Sequence, residues 1–143
     1  MSQTTQIHPD KVRAYLATGY RLGHTAKDIL LTIGQRSERL AALFADNRVH
    51  CGAFLTAYNP RGALQTDAAN ARGHAELASL LRETGLGAIE GSGSEDGTDW
   101  PAEKSWFALG LQLVLAKALG NRFDQDAIVW VGSDAVPQLI LLR

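Results

Sequence analysis

Hydrophobic and polar positions alternate along this chain in two periods, and the changes between them outline a series of short elements. Val12, Tyr15 and Leu16 recur at helical spacing after His8-Pro9-Asp10, which predicts a first helix from Asp10 to Thr18. Asp28 to Ile33 is a β-type run closed by Gly34. Ser37 is placed to cap a second helix, whose buried stripe is Leu40, Leu43 and Phe44. Ala53 to Tyr58 reads as an apolar strand ending in the turn Asn59-Pro60-Arg61-Gly62. Thr66 or Asp67 caps a third helix, which runs to about Thr84, is stopped by Gly85 and has Asn70, His74, Leu77 and Leu81 on its inner face. Leu86 to Gly91 suits a strand, Ser92 to Asp99 an acidic Gly/Ser loop, and Ser105 to Leu109 another strand. An apolar helix over Leu113–Phe123 precedes the clearest strand, Ala127 to Val131; Ser133-Asp134 turns the chain into a last strand, Gln138 to Leu142.

From about residue 53 this order is β-α-β-β-α-β plus one strand, after an α-β-α beginning. It predicts a single α+β domain with a mixed or antiparallel sheet, in the ferredoxin-like arrangement that sets two helices on one face. The length of 143 residues suits one domain able to bury its own core, with residues 1–9 expected to be loose. Cys51 is the only cysteine, which rules out an intramolecular disulfide and a zinc site of several thiolates. Met1 to Gln6 lack the apolar core of a signal peptide, and no apolar run nears the length of a membrane span, so a cytoplasmic protein away from membranes is expected.

The formal net charge is −1, which gives no global field towards nucleic acid or acidic lipid. Residues 1–50 hold seven Lys/Arg against four Asp/Glu, and the remainder seven against eleven. No basic patch is interleaved with aromatics, which disfavours specific nucleic-acid binding.

Several spaced pieces carry a resemblance: Ala14-Tyr15-Leu16-Ala17-Thr18 with Tyr20, Thr56-Ala57-Tyr58-Asn59-Pro60, Asn70, Glu103-Lys104-Ser105 and Phe123-Asp124-Gln125-Asp126-Ala127-Ile128. In order and spacing they resemble a family of uncharacterised bacterial proteins, domain of unknown function 3293, from about residue 10 to the end. Asp124 and Asp126 flank Gln125 where that family often carries small or amide residues. The resemblance carries no established reaction; it sharpens the choice of positions. No cofactor and no metal site are expected from the residues.

Candidate chemistry centres on the strand tip at Thr56 and Asn59, because ligands commonly sit where strand ends face a helix N-terminus. The Asn59 amide can donate and accept at once. With Arg61 and Asn70, in the first turn of the third helix, it suggests a site for a small molecule or an anion. Gln125, ahead of the best strand, adds a third amide. The purely structural alternative is an Asx turn at Asn59 with helix capping beside it. Glu103 and Ser105 share a strand face at i, i+2 and suggest a base and a hydroxyl, against the alternative that Glu103 orders the acidic loop. Trp100 and Trp106 either anchor that segment or offer a stacking wall. His50 and Cys51 are adjacent on a strand and face opposite sides, so they do not activate one another. The acidic loop (Glu90, Glu95, Asp96, Asp99) lacks the ligand spacing of an EF-hand. Three readings follow: a ligand-binding or regulatory module, a module that pairs with itself or a protein partner through the C-terminal strand, and a small enzyme with Glu103 as acid or base.

Overall fold

The computed structural model describes residues 5–23, 28–95 and 101–143. In chain order the elements are α1 (Pro9–Ala17), β1 (Gly19–Leu22), β2 (Ile29–Leu31), α2 (Glu38–Asn47), β3 (Gly52–Leu55), a 3-10 turn (Pro60–Gly62), α3 (Asp67–Glu83), β4 (Ala88–Ser94), β5 (Glu103–Leu109), α4 (Leu113–Arg122), β6 (Ala127–Val131) and β7 (Pro137–Leu141). Two of the expected caps are present: Ser37 Oγ accepts the Leu40 N–H at 3.1 Å and Thr66 Oγ1 the Ala69 N–H at 3.1 Å.

The strands form one sheet of seven in the order β2-β1-β4-β5-β3-β6-β7. Every neighbouring pair is antiparallel. Side chains alternate across it and divide the core in two. Phe54, Phe107, Val129 and Val131 point to one face and pack with Leu40 and Phe44 of α2; the Phe44 and Phe107 rings stack at 6.3 Å. Ala53, Leu55, Ala108 and Ile128 point to the other, under Leu77 and Leu81 of α3 and Ala116 of α4. β3 is buried on both sides, which explains its unbroken apolar run. The molecule is thus a single α+β domain. The expected pair of helices lies on one face, and the sheet is extended at both ends and covered by α2 on the other.

The sheet curls towards α2. Gly34, after β2, donates its N–H to the Pro137 carbonyl at 2.9 Å, and the Ser37 N–H bonds the Ala135 carbonyl at 3.0 Å. These bonds bring the loop beyond one edge strand against the other. α2 fills one end of the resulting hollow. α1 lies across the other end and buries none of its own residues.

Three sequence expectations change. β1 is an additional strand, so the chain begins α-β-β-α instead of α-β-α. β2 is three residues, shorter than the run from Asp28 to Ile33. Ser92 to Ser94 belong to β4 and pair with β1, whereas their composition reads as loop. The glycine that begins this pairing has a packing reason: the Arg21 carbonyl occupies the space a Cβ on Gly91 would take. Trp100, Asp96 and Asp99 lie outside the described residues. No helix among the described residues is long and apolar enough to cross a membrane.

Candidate functional site

Under α1 the hollow face of the sheet encloses a cavity of about 400 Å³. Its roof is Lys11, Ala14, Tyr15 and Thr18, spaced so that one side of the helix looks inward. Its floor and walls come from Tyr20 of β1, Phe54 of β3, the tip residues Thr56 and Asn59, Glu103 and Ser105 of β5, Gln125, Val129 of β6 and Leu139 of β7. The tip of β3 and the starts of β5 and β6 therefore meet at one end of the sheet, as the antiparallel order requires.

Five of the seven sequence candidates reach this cavity, and each is held by hydrogen bonds within the protein. Asn59 is buried in a left-handed conformation, φ 46° and ψ 64°. Its Nδ2 donates to Glu103 Oε2 at 2.8 Å, and its Oδ1 accepts from Asn70 Nδ2 at 3.2 Å and the Gln65 N–H at 3.1 Å. Its own N–H donates to Asn70 Oδ1 at 3.0 Å, an oxygen that also accepts from Gln65 Nε2 at 2.7 Å. Asn59 and Asn70 are thus a reciprocal amide pair that fastens the strand tip to α3, and Asn70 lies behind the cavity wall. Thr56 Oγ1 accepts the Tyr58 N–H at 3.0 Å and donates to the Lys104 carbonyl at 2.8 Å. Gln125 Nε2 donates to the Tyr58 carbonyl at 3.0 Å. Ser105 Oγ donates to the Glu103 carbonyl at 3.1 Å, not to its carboxylate, so these two residues do not form a nucleophile–base pair. Arg61 is turned away: its guanidinium is exposed, 3.9 Å from Asp124, and only its carbonyl joins the site, accepting from Lys11 Nζ at 3.0 Å.

Sequence reasoning gave no role to the groups that hold the roof. Asp126, just ahead of β6, has a fully buried carboxylate. Lys11 Nζ and the Tyr15 hydroxyl each donate to its Oδ2 at 3.1 Å, and Arg143 Nε donates to its Oδ1 at 2.6 Å. Burial pushes the Asp126 carboxyl up, but the hydrogen bonds from Arg143, Lys11 and Tyr15 outweigh it and hold the group below the usual carboxylate range. The Tyr20 hydroxyl donates to the Tyr15 carbonyl at 2.8 Å and ties the roof to β1. The available signal was the i, i+4 spacing of Lys11 and Tyr15 on one helix face, with an acid at Asp126 to receive them.

Both tyrosines carry raised phenol pKa values: Tyr15 through burial and then the charge of Asp126, Tyr20 chiefly through burial. An ionisation made harder by folding favours the unfolded chain once pH passes the ordinary phenol value. The tyrosine contribution is therefore complete below about pH 10 and is lost above it. Unfolding midpoints measured across that range should fall, and Tyr20→Phe should flatten the fall; an unchanged slope in the variant contradicts the assignment.

The remaining candidates have structural partners. His74 Nε2 lies 2.6 Å from Glu90 Oε2, and its ring stacks on Trp106 at 4.7 Å. The Trp106 indole donates to the His74 carbonyl at 3.1 Å, so this tryptophan anchors β5 to α3. The Cys51 thiol donates to the Leu111 carbonyl at 3.4 Å, and burial raises its pKa, which keeps it protonated.

No curated protein and no solved structure matches the chain. A family model described as a protein of unknown function (DUF3293) matches residues 55–128, more than half of the sequence. The match runs from the end of β3 into β6 and includes Asn59, Asn70, Glu103, Gln125 and Asp126, while Lys11, Tyr15 and Tyr20 precede it. On that match the chain belongs to the DUF3293 family.

Proposed function

We propose that this protein is a small-molecule-binding module whose ligand occupies the cavity between α1 and the sheet. The observation that carries this reading is the roof itself. A helix normally earns its place by burying an apolar stripe. α1 buries none of its residues, yet it is held across the hollow by a buried ion cluster, with Ala14, Tyr15 and Thr18 facing the space beneath. The volume falls within the range typical of ligand sites, and the lining is apolar and aromatic with a few fixed polar groups.

Ala14→Trp tests the reading, because Ala14 faces the cavity from the roof and a tryptophan there fills it. In a thermal-shift screen of metabolites, a ligand at about 100 times its dissociation constant stabilises the wild type by roughly 2.7 kcal/mol, or several degrees. The response should vanish in Ala14→Trp. A ligand that stabilises both proteins equally binds elsewhere and overturns this placement.

Pairing of β7 with a second copy or another protein is the second reading, favoured by the position of β7 at the sheet edge. Sedimentation velocity at rising concentration should then show self-association. A monomer throughout, with no protein recovered on immobilised β7 edge variants and wild type alike, removes it.

A further inference from the structure

We propose that the cavity takes an uncharged, largely apolar molecule, packed against the rings of Tyr15, Tyr20 and Phe54. This rests on the cavity being the ligand site and names the chemistry that the site selects. Three observations converge on it. First, the cavity is the unfilled end of a hydrophobic core. Tyr20, Phe54 and Val129 line it and belong to the same core cluster as Leu40 and Phe44 of α2. At its own end of the hollow, α2 covers that cluster with this buried leucine and phenylalanine. At the other end α1 covers it with Ala14, Thr18 and the half-buried Tyr15, while Leu16 is exposed. A ligand there stands where a helix would otherwise supply its apolar stripe, so the burial of apolar surface is what binds it.

Second, the donors of the lining are bonded within the protein. The Tyr15 hydroxyl donates to Asp126 and the Tyr20 hydroxyl to the Tyr15 carbonyl, at 3.1 and 2.8 Å. Thr18 Oγ1 donates to the Ala14 carbonyl at 2.7 Å, and Thr56 and Ser105 donate to the Lys104 and Glu103 carbonyls. Lys11 Nζ serves Asp126 and the Arg61 carbonyl, at 3.1 and 3.0 Å. Arg61, the cation that suggested an anion site in the sequence, turns its guanidinium outward to Asp124. An anion placed here has to draw donors from partners they already have, and gives up its own water to do so.

Third, the acids of the wall are engaged as well. Glu103 Oε2 accepts from Asn59 Nδ2 at 2.8 Å, and both Glu103 and Glu95 interact within the protein. A cation therefore competes with partners that these carboxylates already have, and it too gives up its water. A neutral molecule has little hydration to lose. Tyr20 and Phe54, edge to face at 5.2 Å, and Tyr15 above them offer it an aromatic wall.

Protein-detected NMR with 2-phenylethanol, 2-phenylethylamine and 3-phenylpropionate tests this, because the three share a body and differ in charge. The alcohol should shift the amides of Ala14, Tyr15 and Phe54 and bind at least about tenfold more tightly than either ion. It should stay the tightest of the three in Glu103→Gln, since its binding does not draw on that charge; a reversed order overturns the proposal. If the amine or the acid binds the wild type as tightly as the alcohol through the same amides, selection of a neutral molecule is overturned while the cavity remains a ligand site. If none of the three shifts those amides, the proposal again fails, and the metabolite screen with Ala14→Trp decides the cavity separately. The comparison on the wild-type protein is decisive even if Glu103→Gln does not fold.

Discussion

Asp126→Ala is expected to destabilise the protein by about 3 kcal/mol, at the low end of the range for breaking a buried ion pair. For a domain of this size that lowers the melting temperature by roughly 8 °C. The effect is large because the carboxylate is fully buried and serves three donors at once: Lys11, Tyr15 and Arg143. It stays at the low end because Lys11 and Arg143 are 42% and 33% exposed and can turn to water when their partner is lost. Hydrogen exchange should locate the damage. The amides of α1 should open first, since Asp126 is what joins that helix to β6, while those of α3 keep their protection. Uniform loss of protection would mean that Asp126 supports the whole fold and not the roof.

The same residue sets an acid limit. Its pKa is depressed in the folded state, so its contribution is complete above the ordinary carboxylate value and is lost as pH falls through the lower, folded value. Wild-type stability should therefore decline below about pH 4 more steeply than that of Asp126→Asn, and the two curves should converge in acid. Parallel curves would show that other carboxylates govern the acid transition.

The elements with strong periodicity or clear punctuation were legible in the sequence. α2 and α3 announced themselves by Ser37, Thr66 and a helical stripe, and β6 by an unbroken apolar run rich in β-branched residues. β1 was hidden, because four residues bounded by glycines carry too little pattern, and its pairing with Gly91 to Ser94 is a tertiary contact that no local propensity encodes. The strand tip was found at Thr56 and Asn59, but the meaning of its amides was not. Whether Asn59 reads a ligand or holds Asn70 depends on how α3 returns along the sheet. The roof was missed for a related reason. Asp126 lies more than a hundred residues from Lys11 and Tyr15 in sequence, and the three become one cluster only once the sheet curls. Arg61 erred the other way: near Asn59 in sequence, it adopts a positive φ of 57° that carries its side chain outward to Asp124.

Asn59→Ala is expected to cost about 3 kcal/mol, because it removes three side-chain hydrogen bonds and leaves the buried Asn70 Nδ2 without its acceptor. Part of that cost is backbone: at φ 46° alanine carries a left-handed penalty of roughly 1 kcal/mol that glycine avoids. Asn59→Gly should therefore be the milder change by about that amount, and Asn70→Ala should resemble Asn59→Gly more than Asn59→Ala. In a double-mutant cycle the two amides should couple by about 1–2 kcal/mol, since either substitution removes the bond from Asn70 Nδ2 to Asn59 Oδ1. Urea midpoints at constant slope are the measurement; an Asn59→Ala protein within about 0.5 kcal/mol of wild type would remove the amide lock. The consequence reaches function. A ligand response lost in Asn59→Ala would report a loosened strand tip as readily as a lost contact, so that variant is a poor probe of binding. Glu103→Gln is the cleaner one, because it changes the charge in the cavity wall and leaves Asn59 an oxygen to bond. Asn59→Asp does the reverse, setting a second carboxylate where the amide now touches Glu103 at 2.8 Å. The two carboxylates then repel one another across that contact, which unsettles the strand tip as well as the cavity wall.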